Sequence, residues 1–345
     1  MNALVLTYLI GALLSGILYA SGVIYHRLFL SPLAKFPGPR LAAATGLYEL
    51  YFQLIKGGKF TWEIQRLHQR YGPVVRIKPF ELHVQDADFY DTLYSGPMRK
   101  RDKDPWFVYI GWPGAIFSTQ GHALHTERRR VLGQFFSKRA VVELQPVIWE
   151  KVRALCGHFS AAAESHSVLE LHACFQCLAV DLISQYAFGG QHGFRYLDQP
   201  VLTADWKFKA NSSFKLINTV RHFPWLYWVA HMVPRLAGMV APAFAPVYRM
   251  EEDQKEVKSK VRAIIAEHNR PDHEKSPAIY PSILDNEDVA PSEKEYRRLA
   301  DDAIFLTVAG SGAPAQTLAI TLFHILNNGD VHQKVTAELF AAFPF

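Results

Sequence analysis

Two cationic side chains, His125 and Arg129, are four residues apart in a segment with helical periodicity. This spacing puts both on one face of a helix. A buried anionic group needs such cationic partners and hydrogen bonds. For the pair alone we favour the simpler alternative, a solvated basic face. The neighbouring Arg128 and Arg130 should point elsewhere, and we interpret them as surface charges.

A second short motif, Ala309-Gly310-Ser311, lies in a long apolar segment that is predicted to be helical over residues 293–328. Pro314 follows within this segment. Because proline has no N–H group and clashes with the carbonyl four residues earlier, here that of Gly310, a kink is expected. A plain apolar core helix with a proline kink is the alternative to a functional motif.

The chain has three cysteines, Cys156, Cys174 and Cys177. A low, odd count argues against a disulfide scaffold and indicates a reducing compartment. With His172, the last two form His-x-Cys-x-x-Cys, which could begin a zinc or redox site. The motif lies in an apolar helical pattern without a second ligand pair, so we favour core packing. Cys156 is predicted to lie within a helix, whose backbone N–H groups cannot support a metal-bound thiolate.

The first 25 residues contain no charged side chain. A helix needs about 20 apolar residues to span a membrane, and His26 and Arg27 follow directly. These charges predict that the downstream side is cytosolic. A cleaved signal peptide has a basic start and an apolar stretch of only about 7–15 residues. We therefore favour a transmembrane anchor at residues 1–25.

A proline-rich hinge at residues 26–44 is predicted after the anchor, because Phe36-Pro37-Gly38-Pro39 cannot continue a helix. One mainly helical body is predicted over residues 45–345. Alternating β-branched residues at 73–79 and 81–84 predict a hairpin, and the polar stretch 271–291 predicts a loop. Helical periodicity predicts helices at 121–135, 138–163, 168–188, 200–217, 243–269, 293–328 and 330–342.

Composition excludes two classes of protein. Hydrophobic residues make up 49% of the chain, which is too many for a disordered protein. The net charge of +5 is spread over small clusters, whereas a nucleic-acid binder concentrates its charge with interleaved aromatic residues. A mildly basic surface facing an anionic membrane or an acidic redox partner is favoured.

The order of these segments resembles that of the cytochrome P450 family, in particular the fungal microsomal haem-thiolate monooxygenases of secondary metabolism. The resemblance covers the whole chain and implies the N-terminal part of the cytochrome P450 fold, mainly α with a small β-hairpin, preceded by one transmembrane helix. Five pieces carry it: the anchor with Phe36-Pro37-Gly38-Pro39; 71–77 with 81–84 and 88–90; 125–132 with 135–138; 181–183 with 186–189; and Ala309-Gly310-Ser311.

The resemblance implies a haem b cofactor and a role for each site residue. His125 and Arg129 would contact a haem propionate, and Ala309 and Gly310 would lie beside the haem. The family's acid and two threonines, which relay protons, are replaced here by Gly312-Ala313-Pro314. Ser311 is the candidate catalytic residue that partly replaces them, although one helix position of displacement turns it about 100° away.

The family's Glu-x-x-Arg pair and its Phe-x-x-Gly loop with the cysteine ligand should follow the long helix, and neither does. Glu295 and Arg298 match the first pattern but precede that helix motif. We therefore expect no axial cysteine in this chain, a C-terminal truncation, exposed apolar faces, poor folding and no activity. The alternatives are a non-catalytic membrane-anchored remnant and a binder of lipophilic ligands.

The implied partners are NADPH-cytochrome P450 reductase, a lipophilic small-molecule substrate such as a terpenoid or polyketide, and the endoplasmic reticulum membrane, crossed once. Nucleic acid is not among them. Apolar loops at 106–117 and 208–225 would face the substrate. The sequon Asn211-Ser212-Ser213 should never be glycosylated if the body is cytosolic.

Overall fold

The computed structural model describes residues 3–94, 100–110, 112–202, 219, 221–225 and 245–343. The chain divides into two compact units, Met1–Lys100 and Arg101–Phe345. Each unit has its own hydrophobic cluster of buried side chains. The boundaries predicted after residues 25 and 44 both fall inside the first unit and stay predictions.

The first unit contains one long helix, several shorter helices and one hairpin. Its described elements are α1 (Ala3–Tyr25), a π-helical turn (His26–Leu30), α2 (Arg40–Ala44), α3 (Leu47–Leu50), a second π-helical turn (Tyr51–Ile55), α4 (Phe60–Tyr71), β1 (Val74–Lys78), β2 (Glu81–Val84), a 3-10 helix (Ala87–Phe89) and α5 (Tyr90–Leu93). The strands pair antiparallel, with Val74 opposite Val84, and an irregularity in register lies between Arg76 and Lys78. This confirms the predicted hairpin. Leu67 of α4 packs with Val75 and Ile77 of β1 in the core of this unit.

The proline-rich segment is held against β1. The backbone N–H of Arg76 donates to the carbonyl of Pro37 at 2.7 Å. A Cβ on Gly38 would lie 2.3 Å from the carbonyl oxygen of Arg76, so only glycine fits there. The buried guanidinium of Arg76 donates to the backbone oxygens of Arg27 and Pro79. The proline-rich segment is therefore packed against β1.

Two helices are long and apolar enough to cross a membrane by length and composition. One comprises α1 and the turn after it, and its apolar side chains are exposed along its length. This is consistent with the predicted anchor. The other is the long helix α12 (Tyr296–Asn327) of the second unit, which is partly buried inside that unit.

Helices are the regular secondary structure of the second unit among its described residues. Its α-helices are α6 (His122–Gly133), α7 (Lys138–Glu143), α8 (Gln145–Glu164), α9 (Leu171–Phe188), α10 (Ala245–His268), α11 (Ile279–Asp285), α12 (Tyr296–Asn327) and α13 (Gly329–Ala342). Short 3-10 helices cover Pro105–Ile110, Ile116–Ser118, Gln134–Phe136 and Pro291–Lys294. Six of the predicted helical segments are confirmed, the one at 138–163 as two helices that meet at Leu144. The predicted helix at 200–217 lies outside the described residues.

Helices α9 and α12 pack against each other in the middle of this unit. A Cβ on Gly310 of α12 would lie 2.6 Å from Cγ1 of Ile183 on α9, so glycine is needed for the close approach. Asp181, also on α9, is buried and accepts hydrogen bonds from the backbone N–H groups of Tyr196 and Leu197, both at 2.9 Å. Two of the motifs found in the sequence are therefore parts of one packed core.

One expected loop differs from the structure. The stretch 271–291, predicted as a loop, contains α11, whose Ile279, Tyr280, Ile283 and Leu284 are buried in the core. Seven residues flanked by polar sequence are too few to show a helical period, and burial decides the conformation. Pro314 lies inside the single helix α12, and the kink expected there stays a prediction.

Candidate cofactor site

Three basic side chains come together at α6. They belong to Lys103, in the irregular segment before it, and to His125 and Arg129. Lys103 Nζ donates to the carbonyl of Phe117 at 2.9 Å and makes a longer contact with that of Ile116 at 3.4 Å. An ammonium group has three donors, so one stays available. We call Lys103, His125 and Arg129 the cationic cluster.

The charges of the cationic cluster repel one another. Burial lowers the pKa of His125, and the charges of Lys103 and Arg129 lower it further. Burial, together with Arg129, also lowers the pKa of Lys103. In the part of the chain that the structure describes, no carboxylate forms an ion pair with any of the three. An incoming anion would relieve this repulsion.

Arg128 is not the surface charge that the sequence predicted. Its side chain is only 10% exposed and forms a two-pronged ion pair with Glu293, at 2.8 Å for each contact. Arg298 binds the same carboxylate at 2.7 Å. Burial opposes ionisation of Glu293, but hydrogen bonds from both guanidiniums outweigh it and lower its pKa. Arg130, by contrast, is exposed as predicted.

This ion-pair network joins α6 to the start of α12. Arg298 also lies 3.2 Å from Asp302, whose carboxylate accepts the backbone N–H of Ile116. The neighbouring Asp301 accepts that of Gly114. The match of Glu295 and Arg298 to a Glu-x-x-Arg pattern is therefore coincidental, since Arg298 pairs with other acids.

Aromatic rings connect the cationic cluster to α12. Phe117 stacks on Phe305 of α12 with ring centroids 4.7 Å apart, and Lys103 Nζ lies 5.5 Å from the Phe117 centroid. Phe107 contacts Phe117 at 5.3 Å. Phe305 is one helical turn before Ala309, so the cluster and the predicted helix motif belong to one region of this unit.

The three residues of the helix motif point in different directions. Ala309 is exposed, and Gly310 packs against Ile183. Ser311 is fully buried, and its hydroxyl donates to the carbonyl of Val308 at 3.3 Å. A Cβ on Gly312 would meet open space. The exposed face of α12 thus carries small groups, while the Ser311 hydroxyl is on the buried side.

None of the three cysteines lies in an irregular loop. Cys174 and Cys177 are buried within α9, and Cys156 is exposed on α8. None of the three forms a disulfide bond, and burial raises the pKa of Cys174. This agrees with core packing of Cys174 and Cys177.

The cationic cluster and the exposed face of α12 fit haem. Haem carries two carboxylates on an otherwise apolar ring, and the cluster offers cations without acids beside aromatic side chains. Small residues such as Ala309 and Gly312 leave room for a flat group against the helix. The residues of the second unit therefore suit the carboxylate edge and one face of the ring, but no cysteine suits the iron.

The comparisons with known proteins point to one family. The family model for cytochrome P450 matches residues 39–344. A solved cytochrome P450 (CYP102L1) has a TM-score of 0.58 to this chain at 16% identity, over 82% of this chain and 59% of the other. At that identity, the similarity to the solved structure shows the fold alone.

The chain belongs to the cytochrome P450 family. It is 36% identical to the cytochrome P450 monooxygenase sdnE of Sordaria araneosa, over 95% of this chain and 64% of the relative. It is 37% identical to tryptophan 6-hydroxylase fscE of Fusarium equiseti, over 92% of this chain and 62% of the relative. The cytochrome P450 monooxygenase dpmpJ of Macrophomina phaseolina is 35% identical, with 97% of its length covered. The chain thus spans less than two thirds of sdnE and fscE.

Proposed function

We propose that this chain contributes the membrane anchor and the haem-carboxylate side of a monooxygenase of fungal secondary metabolism that oxidises an apolar small molecule. The cationic cluster carries the proposal. Lys103 and Arg129 place positive charge around His125, and none of the three forms an ion pair with an acid among the described residues. An anion is the partner that such a cluster lacks.

Each residue of the site has a proposed role. Lys103 and Arg129 would pair with haem carboxylates, and His125 would hydrogen-bond to them. Ala309 would lie against the ring, and Gly310 would set the distance of α12 from α9 through its contact with Ile183. Bound haem supplies the activation of dioxygen in this family. Ser311 stays a candidate for proton delivery, although its hydroxyl is turned to a backbone carbonyl.

The substrate proposed is apolar. Trp106, Phe107, Trp112 and Phe117 line the segment that packs on Phe305 of α12. This segment was predicted to face the substrate, whereas most of the second predicted segment, 208–225, lies outside the described residues. Aromatic side chains bury large apolar ligands well. Electrons would come from NADPH-cytochrome P450 reductase.

We propose that the printed chain does not catalyse the reaction by itself. Two of its thiols are buried in α9 and the third is on α8, where helical N–H groups are already bonded. The replacement of the usual acid and threonines by Gly312, Ala313 and Pro314 points the same way. These features favour, as a second candidate, a non-catalytic membrane-anchored protein that still binds lipophilic ligands.

Haem binding tests the proposal. The full chain in mild detergent is titrated with haem, and absorption is recorded before and after addition of reductant and carbon monoxide. We expect saturable binding without the red-shifted band typical of thiolate ligation. Arg129→Ala should weaken binding about tenfold or more, since a charge-assisted hydrogen bond contributes roughly 1.5–3 kcal/mol. Arg130→Ala, on the same helix, is the control. Absence of saturable binding would overturn the proposal.

The proposed membrane location has its own test. If α1 anchors a cytosolic body in the endoplasmic reticulum, the sequon Asn211-Ser212-Ser213 receives no glycan. The chain is expressed in a eukaryotic host and treated with an endoglycosidase. A shift in electrophoretic mobility on treatment would contradict the proposed topology.

A further inference from the structure

A cavity of about 420 Å³ lies on the second unit, away from the cationic cluster. The loop after α9, the end of α10 and the segment leading into α11 line it. Its wall carries five residues whose imidazole or carboxylate groups contact one another: His192 with Glu267, and His268 and His273 with Asp285. None of them takes part in the site described above.

His268, His273 and Asp285 converge on one point. His273 Nε2 lies 2.9 Å and His268 Nδ1 lies 3.0 Å from the same atom, Oδ1 of Asp285. The two rings are 4.8 Å apart between centroids. One ligand atom from each residue lies within 4.8 Å of the others. His268 ends α10 and Asp285 ends α11, so the cluster joins two helices.

Hydrogen bonding satisfies only part of this cluster. His273 Nε2 is hydrogen-bonded to Asp285 Oδ1. His268 Nδ1 is buried and has no hydrogen bond, although it is close to the same oxygen. A buried polar atom without a partner costs about 1–3 kcal/mol. A cation between the nitrogen and the oxygen would remove this cost.

We propose that His268, His273 and Asp285 bind a zinc ion, with water as the fourth ligand. Two imidazoles and a carboxylate suit Zn²⁺, whereas Ca²⁺ and Mg²⁺ prefer oxygen ligands alone. Zinc bonds of about 2.0–2.2 Å place tetrahedral ligand atoms about 3.3 Å apart. The two contacts to Asp285 are slightly shorter than this, so a small outward movement of the side chains makes room. The cavity admits the water.

The zinc ion would have a structural role. It would fix the end of α10 to the end of α11 and so close the segment between residues 268 and 285. Both helices pack in the core beside α12. Because a ligand that binds only the folded state stabilises it, bound zinc would raise the thermal midpoint of the second unit. Haem takes no part in this binding.

Cobalt provides the test, since Co²⁺ in a tetrahedral site absorbs visible light whereas Zn²⁺ does not. The full chain in detergent is stripped with a chelator and titrated with Co²⁺, and Zn²⁺ is then added. We expect a saturable tetrahedral band with one equivalent bound, and its loss on addition of zinc. Asp285→Asn and His273→Gln should weaken binding by more than the roughly 10–100-fold cost of losing an outer partner.

His192→Gln is the matched control, because His192 lies in the same cavity but pairs with Glu267. It should keep the wild-type cobalt spectrum. Circular dichroism establishes that each variant is folded, and if one is not, the other variant and the wild-type titration decide. The proposal is overturned if the wild type shows no tetrahedral band, or if both ligand variants bind Co²⁺ as tightly as the wild type. Haem binding is measured separately and should be unchanged in His273→Gln.

Discussion

The two halves of α12 differ sharply although both are apolar. In residues 296–311, Leu299, Ala303 and Ile304 are buried in the core, and charged side chains at the start of the helix bind loop backbone and other helices. In residues 312–327, Ala315 is buried, while Leu318, Ile320, Phe323 and Leu326 are exposed. Apolar sequence alone therefore does not show which half forms the core.

The first half gains its partners from distant parts of the chain. Gly310 meets Ile183, Phe305 meets Phe117, and Asp302 meets the backbone of Ile116. The exposed side chains of the second half, with Leu339 and Phe340 of α13, form an apolar surface. This matches the expected exposed faces, while the expected poor folding stays a prediction.

Removing Glu293, which lies just before α12, should lower the stability of the fold the most. Glu293→Ala leaves Arg128 and Arg298 without their shared carboxylate. Breaking a buried ion pair costs about 3–5 kcal/mol. The free energy of unfolding is measured by urea denaturation of the full chain in detergent. Arg139→Ala, which breaks an exposed pair with Glu143, should cost less than about 1 kcal/mol. If both variants lost the same free energy of unfolding, the ion-pair network around Glu293 would not be buried.

The next largest effect is expected from a half-buried aromatic side chain in the first half of α12, compared with an exposed one in the second half. Phe305→Ala removes the stack on Phe117, and since a fully buried phenylalanine is worth about 3–5 kcal/mol, this half-buried one should cost about 2–3 kcal/mol. Phe323→Ala, at an exposed position, should stay within about 0.5 kcal/mol of wild type. The same denaturation experiment compares them. If Phe323→Ala lost more free energy of unfolding than Phe305→Ala, the second half of α12 would be the one packed in the core.

The two glycines give a finer contrast. Gly310→Ala forces a Cβ onto Ile183, and overpacking of this kind costs about 1–3 kcal/mol. Gly312→Ala meets open space and should stabilise the helix by up to about 1 kcal/mol. In a double-mutant cycle, Ile183→Ala should relieve most of the clash at Gly310. If the stability losses of Gly310→Ala and Ile183→Ala simply added in the double variant, the two residues would not be in close contact.

The smallest expected effect is a pH dependence of the free energy of unfolding that arises from His125. Burial and neighbouring cations lower the pKa of His125 in the folded chain below its ordinary value of 6.5. As pH falls below 6.5, the unfolded chain takes up the proton first, so stability falls. His125→Gln should lose less stability over that window. The unfolding free energy of both proteins is measured from pH 7.5 to 5.5, and a constant difference would contradict the shift.

Local periodicity was enough to predict most of the fold. Helices such as α9 and α12 are long and show their period, and the hairpin β1–β2 shows alternation. The short helix α11 was missed, because Ile279 and Tyr280 are helical through burial against the rest of the unit. Propensity in seven residues is too weak to outweigh such context.

The candidate site was predicted in part, for a related reason. His125 and Arg129 are four residues apart, so their shared face is visible in the sequence. Lys103 was missed, since it comes 22 residues before His125 in an irregular segment. In the sequence it is one of several charged residues in a run that ends shortly before Trp106 and Phe107, and nothing in that run singles it out. Arg128 was misjudged because its partner Glu293 is 165 residues away.

The central claim is that the cationic cluster binds the carboxylates of haem. Competition between haem and its dimethyl ester, whose carboxylates are blocked, tests it most directly. The wild-type chain should prefer free haem by about tenfold or more, given roughly 1.5–3 kcal/mol for each charge-assisted bond. The double variant Lys103→Gln, Arg129→Gln should lose this preference, while Arg130→Gln keeps it. Equal affinity of the wild type for both compounds would contradict the claim.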